Sequence, residues 1–367
     1  MHLISPSKVI RGSKAWSLAI KDILEFSKKP LVLGRSDSTK TIRTRILNDL
    51  KSRKVNVFDA NLEFDCCPED LERINKFANQ NKCDSIIAAG GGKVLDAGKL
   101  LAEYLSIPCI TVPLSASTCA GWTALANLYT KKGQFIKDIN LTSCPRILVF
   151  DYSFLVSAPR RTLSSGIADS LAKWYESSLT SSSSSDGIVQ QAIQISRVLR
   201  DQLFIEGLNA YTNYEETNQS WLNVIEGNGL TAGLIGGIGG EKCRTASAHS
   251  LHNAITQLQP KNNPMHGEIV GVGILIQLKL EEMKSNNKLA SQAIRQLVPF
   301  MKNINLPTTI SELGINVFEK DNLKIIAEFT CREGSEIHFL PFPVVPTDIV
   351  EVITKFESQK ITTTNGC

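Results

Sequence analysis

No stretch of the 367 residues approaches the ~20 consecutive apolar side chains that a bilayer-crossing helix requires, so no spanning segment is expected. Charge of one sign is also scarce: 40 Lys and Arg against 36 Asp and Glu leave +4, without a long basic run. Nucleic acid and anionic membrane surfaces are recognised by concentrated cationic patches, so neither partner is expected. The opening residues, MHLISPSKVIRGSKAW, lack the charged-then-apolar pattern of a secretory signal. Nine cysteines, an odd number scattered from Cys66 to Cys367 with no CxxC pair, argue against a disulfide framework or a structural zinc site. Together these absences lead to the expectation of a soluble, cytoplasmic globular protein.

What is present is enough apolar material, 42% of residues, for two domains at roughly 150 residues each. The first half alternates strand and helix patterns. Trp16, Ala19, Ile20, Ile23 and Leu24 recur at helical spacing before a short apolar run, Leu31 to Leu33, that stops at Gly34. A helix over 41–54, a strand over 55–60 and a helix opening at Pro68 follow, the last with Leu71, Ile74, Phe77 and Ala78 on one face. Next come a strand at 85–89, a helix over about 93–104, and strands at 108–112 and 147–150. This rhythm predicts a doubly wound, mostly parallel sheet. From Pro159 onward long helical patterns dominate, predicting an all-α remainder, with Ser181–Ser185 as a surface loop between helices.

Three places carry chemistry. In SIIAAGGGKVLDAGK a strand runs into three glycines and then a helix, an arrangement that lets backbone N–H groups approach a pyrophosphate. Lys93 can neutralise phosphate there, and Asp96 is expected on the first turn of the helix; a glycine-rich turn without a ligand shares the local pattern. The second place is AHSLHNAITQLQPKNNPMHGE, which holds three of only five histidines. His249 and His252 share a helical face, and His266 returns past Pro260 and Pro264 just before a new helix. Such imidazoles can converge on one cation, or simply cluster. The third is Asp169, read as an acid on the first or second turn of a helix that starts at Ser165 and Gly166. Beside Leu171, Ala172 and Trp174 its carboxylate needs a partner, either a metal or Lys173.

These segments, with VPLSASTCAGWTALANLYT, APRRTLSSGIADSLAKWYES, INLPTTISELGI and IHFLPFPVVP, resemble the glycerol dehydrogenase branch of the iron- and zinc-dependent alcohol dehydrogenase superfamily. The resemblance spans nearly the whole chain, and it is the order and spacing of the segments that make it specific. It implies a dehydroquinate synthase-like fold, with a nucleotide-binding α/β domain at 1–157, a helical metal-binding domain at 158–367, and an active-site cleft between them. It further implies a divalent metal, Zn2+ or another ion such as Fe2+, held by Asp169, His249 and His266, with His252 nearby in the pocket. NAD or NADP is expected along Gly91, Gly92, Lys93 and Asp96, and at Ser117, Thr123, Leu125 and Tyr129. The implied reaction is hydride transfer between a small alcohol or ketone and NAD(P), in a homo-oligomer.

Three positions depart from the pattern. Cys119 stands where the branch usually has an Asp that contacts substrate hydroxyls, and Leu114 where a Thr is common. A thiol is a weak donor and a small apolar filler, so the substrate pocket loses a charged acceptor at Cys119. Arg35 follows Gly34 where the branch often has an acid; an acid there binds the ribose 2′-hydroxyl of NAD, whereas an arginine accommodates the 2′-phosphate of NADP. The reading is therefore a metal-dependent oxidoreductase for a small polyol or secondary alcohol. The alternatives are a glycerol-1-phosphate-type dehydrogenase and a non-redox dehydroquinate synthase-like cyclase.

Overall fold

The computed structural model describes residues 2–319 and 321–364, so Cys367 and the end of the expected metal-binding domain lie outside the described residues. By internal contacts the chain divides into two compact units. One is the chain up to Leu163 with Asn213–Ile238; the other is Ser164–Thr212 with the chain from Gly239 onward.

In the first unit, β1 (Lys8–Gly12), β2 (Pro30–Gly34), β3 (Phe58–Asn61), β4 (Ser85–Gly90), β5 (Cys109–Pro113) and β8 (Ile147–Asp151) form one sheet in the order β1-β8-β5-β4-β2-β3. All its pairings are parallel. Between β5 and β8, β6 (Leu125–Tyr129) and β7 (Phe135–Asn140) make a separate antiparallel pair. Helices α1 (Ala15–Phe26), α2 (Lys40–Lys51), α3 (Pro68–Gln80) and α4 (Gly92–Leu105) alternate with the strands, and α5 (Tyr152–Leu155), α8 (Gln219–Glu226) and α9 (Ala232–Gly239) come later in the chain. β2 and β4 are buried at every position, as parallel strands covered on both faces must be. Trp16, Ala19, Ile20 and Ile23 of α1 join Val32, Ile46, Ile87, Ile110 and Val149 in one core. α4 lies directly on β4: a Cβ on Gly98 would come 2.4 Å from the Cβ of Ala88.

Several expectations shift in detail. β3 begins at Phe58 rather than 55, because the Val55 N–H still bonds the Leu50 carbonyl at the end of α2 (3.3 Å). Phe77 is half-exposed and meets Phe58 edge-on, while Leu71, Ile74 and Ala78 are buried as expected. β1 and the β6–β7 pair are additional strands whose alternating or charged residues hid them. Asp96 is the fifth residue of α4 and so lies on its second turn.

The sheet order reverses between β2 and β4. From β2 the chain steps outward to β3; from β4 it steps the other way to β5. In open α/β sheets the carboxyl ends of the strands at such a reversal form the ligand-binding crevice. Those ends here are Gly34–Arg35 and Gly90–Gly91.

The second unit is helical. It contains α6 (Arg160–Thr180) from Ser164 on, α7 (Gly187–Thr212), α10 (Ser247–Ile255), α11 (His266–Ser285), α12 (Lys288–Asn303), α13 (Asn322–Thr330) and α14 (Pro346–Thr364). The loop between α6 and α7 carries Ser181–Ser185, and the Gln190 side chain donates to the carbonyls of Ser181, Ser182 and Ser184. α6 starts directly after Pro159, five residues before the expected Ser165, so Asp169 sits on its third turn and is not an N-terminal acid. The serines do not end the helix because their hydroxyls have partners, Ser164 on the Ile304 carbonyl and Ser177 on the Lys173 carbonyl.

Candidate metal centre and nucleotide loop

α11 begins hard against α6. The Gly267 N–H donates to Ser165 Oγ (3.1 Å), and the Glu268 carboxylate accepts the Met265 N–H (2.7 Å), fixing the first turn. Ser165 and Asp169 are four apart and share a helical face. This seating carries His266, the first residue of α11, to Asp169.

The three predicted ligands converge. His266 Nε2 lies 3.2 Å and His249 Nε2 3.4 Å from the same Asp169 oxygen, Oδ1, and one donor atom from each residue falls within 4.8 Å of the others. A tetrahedral ion about 2.0–2.1 Å from its ligands would separate neighbouring donors by roughly 3.3–3.4 Å, so this spacing fits one cation. Asp169 and His249 are buried, whereas the His266 side chain keeps 29% exposure, leaving an open side. One carboxylate with two imidazoles suits a divalent transition-metal ion with a coordination place to spare. Burial alone would raise the Asp169 carboxyl, but the charge and hydrogen bonds of His266 and His249 hold it well below the usual range. For His249 burial acts to lower the pKa, and the Glu176 carboxylate and Asp169 reverse this, raising it to about 9.

Neighbouring groups are distinct from the triad. His252 is buried and faces His266 Nδ1 through Nε2 (2.9 Å), while its Nδ1 meets Asn253 Oδ1 at 2.9 Å. Burial, then the proximity of His266, hold His252 well below its ordinary pKa, so it is neutral and accepts at Nε2. Lys173, the other partner considered for Asp169, donates to the Arg244 carbonyl (3.1 Å). Glu176 was missed in the sequence: buried, it holds His249 Nδ1 at 2.6 Å. Its signal was the spacing, seven residues or two turns beyond Asp169 on the same face of α6.

In the first unit, Gly91 precedes the first turn of α4, whose N-terminus no side chain caps. Its N–H groups and positive dipole end therefore suit a pyrophosphate. Lys93 ion-pairs with the buried Asp65 and stands 4.9 Å over the Tyr129 ring. Asp96 is buried against Lys99 (3.0 Å) and accepts the Asn127 N–H (3.2 Å). Lys99 also donates to the carbonyls of Thr123 (3.1 Å) and Leu125, so these side chains fasten the Thr123–Asn127 segment to α4. Ser117 is buried with its hydroxyl 3.1 Å from that of Ser115, and Cys119 is buried in the same loop. Leu114 N–H donates to the Gly90 carbonyl (3.0 Å), bringing this loop beside the glycines. Arg35 is exposed at the end of β2, at the reversal of strand order.

Residues 6–152 match the family described as iron-containing alcohol dehydrogenase. An uncharacterized oxidoreductase of Synechocystis sp. is 41% identical over 358 residues, 97% of this chain and 92% of that protein. The glycerol dehydrogenase of Pseudomonas putida is 31% identical over 351 residues, 92% of each chain. A crystal structure of a probable glycerol dehydrogenase from Sinorhizobium meliloti superposes with a TM-score of 0.86 at 26% identity, covering 98% of this chain and 99% of that one. The chain belongs to the iron-containing alcohol dehydrogenase family. It has the family's dehydroquinate synthase-like fold and is a metal-dependent oxidoreductase of alcohols or polyols, acting on CH–OH donors with a divalent metal and NAD(P). Among the described residues no helix is long and apolar enough to cross a membrane.

Proposed function

We propose that the enzyme interconverts a small polyol or secondary alcohol and its ketone, with Zn2+ at Asp169, His249 and His266. The observation that carries this reading is the convergence of one donor atom from each of these residues within 4.8 Å. The name of the Pseudomonas putida relative supports a glycerol-like substrate. A divalent ion so held supplies Lewis acidity toward the substrate oxygen. Asp169 contributes the negative charge that keeps such an ion in a buried place, and His266, the most exposed of the three, borders the side open to substrate.

The uncapped start of α4 at Gly91 and Gly92 would receive the cofactor pyrophosphate, with Lys93 and the buried Ser117 alongside. Asp96 serves here indirectly, with Lys99, by holding Thr123 and Leu125 against α4. Arg35, at the carboxyl end of β2, favours NADP through its 2′-phosphate. Cys119 offers substrate a thiol and no charge, and His252 steadies His266. A homo-oligomer in the cytoplasm completes the reading, the location supported by free thiols at all the described cysteines, as suits a reducing compartment.

The test is the initial rate of dihydroxyacetone reduction by zinc-loaded protein, with NADH and NADPH in parallel and His249→Ala as control. Turnover that the control loses supports the reading. No turnover with dihydroxyacetone or other small ketones, with cofactor bound, would sink it.

A further inference from the structure

The start of α10 is held from outside its own segment. Ala246 precedes the first turn, and its methyl group cannot cap; no side chain of its own caps this end. Instead the Ala246 and His249 N–H groups donate to Oε1 of Glu176, on α6, at 2.8 and 3.1 Å. The Ala248 N–H donates to Oε1 of Gln277, on α11, at 3.3 Å. Gln277 in turn donates its Nε2 to the Tyr175 carbonyl (2.8 Å), closing a buried link among the three helices. A carboxylate at a helix N-terminus also meets the positive end of the dipole.

Glu176 does more than cap. Its second oxygen, Oε2, lies 2.6 Å from His249 Nδ1. An ionised carboxylate only accepts, so Nδ1 keeps a hydrogen and Nε2 is the nitrogen that can give up its proton to an ion. That Nε2 is the atom 3.4 Å from Asp169 Oδ1. We propose that Glu176 is a positioning residue for the metal centre, one carboxylate that anchors the start of α10 and also sets the tautomer of His249, so that Nε2 faces the ion. This rests on the reading of Asp169, His249 and His266 as metal ligands. The other imidazole is treated differently: His266 Nδ1 meets the neutral ring of His252, itself held by Asn253. A carboxylate partner makes an imidazole the more basic donor toward an ion.

Glu176→Gln separates the two roles. The amide keeps an oxygen for the backbone N–H groups but turns its NH2 toward Nδ1, which can then accept only if the ring hydrogen moves to Nε2. The zinc dissociation constant, measured by chelator competition, should rise on the order of 10–100-fold while the circular dichroism stays that of the wild type. A folded variant that binds zinc like the wild type overturns the proposal. Asp169→Asn is measured alongside: if it too leaves zinc binding unchanged, the metal reading fails and this one falls with it. If only Asp169→Asn weakens zinc, Glu176 alone loses its role. Should Glu176→Gln not fold, the 15N spectrum of the zinc-loaded wild type decides. Hydrogen on His249 Nδ1 supports the proposal, and hydrogen on Nε2 overturns it.

Discussion

A Cβ atom placed on Gly267 would lie 1.8 Å from the backbone oxygen of Ser165, far inside van der Waals contact. Only glycine lets α11 start this close to α6, and the residue before it is the proposed metal ligand His266. Gly267→Ala must therefore push the two helices apart. Overpacking of this kind costs about 1–3 kcal/mol or more, and the displacement should also weaken zinc binding. Gly271→Ala is the control, since its Cβ would meet the flexible Met301 Cε at 3.0 Å and Ala168 Cβ at 3.2 Å. Thermal melts and zinc titrations of the two variants should separate clearly; equal behaviour would show that the close approach at Gly267 does not position the site.

Lys99 and Asp96 make a second testable pair. Both are buried, and Lys99→Met would leave the Asp96 carboxylate without its cation. Breaking a buried ion pair from one side costs about 3–5 kcal/mol, measurable by urea unfolding. Adding Asp96→Leu should recover part of that loss, but not all, because the Asn127 N–H then lacks its acceptor. A single variant as stable as the wild type would mean that the pair holds nothing in place.

How much of this was legible beforehand depended on how contiguous each feature is. The loop at Gly91 could be read directly, because a buried strand, three glycines and a helix follow one another without interruption. Asp169 could not be: Ser165 and Gly166 look like the opening of a helix, yet Pro159 and the bonded serine hydroxyls allow α6 to start five residues earlier. The ligand set became readable only through the resemblance, since three residues on separate helices carry no local periodicity. Glu176 was hidden for another reason. Its partners, Ala246 and His249, stand at the start of α10, 70 and 73 residues along the chain, and within α6 only its seven-residue spacing from Asp169 marks it. Asp96 was placed along the cofactor by the resemblance, but the side chain that pairs with it, Lys99, is one helical turn further along.

Arg35 bears on cofactor choice. The other arginine near this strand end, Arg43 of α2, is already engaged by Asn61 Oδ1 and the Ser36 carbonyl, so the proposed contact to a 2′-phosphate falls to the exposed Arg35. A lost charge-assisted hydrogen bond of about 1.5–3 kcal/mol corresponds to roughly a 10–150-fold fall in kcat/KM. Arg35→Ala should show that fall with NADPH and leave NADH nearly untouched. A strong NADH preference in the wild type, or equal losses with both cofactors, would remove Arg35 from the account.

The metal centre should respond to pH through His249. A cation and a proton compete for its Nε2, and Glu176 with Asp169 raises its pKa to about 9. Asp169, held well below the usual carboxylate range, is ionised across the same interval and does not enter the competition. Each zinc ion bound below about pH 9 should thus displace one proton from His249, and the apparent affinity should rise about tenfold per pH unit up to that point. The metal-free protein should move the opposite way. A histidine whose folded pKa lies above its unfolded value stabilises the fold fully below about 6.5, and that contribution is lost as pH rises through about 9. Zinc titrations by calorimetry in buffers of different ionisation enthalpy count the protons directly, and melts of the chelated protein follow the stability. An affinity independent of pH between 6.5 and 9 would show that His249 is neutral before the ion arrives and that its buried carboxylate neighbours do not govern it.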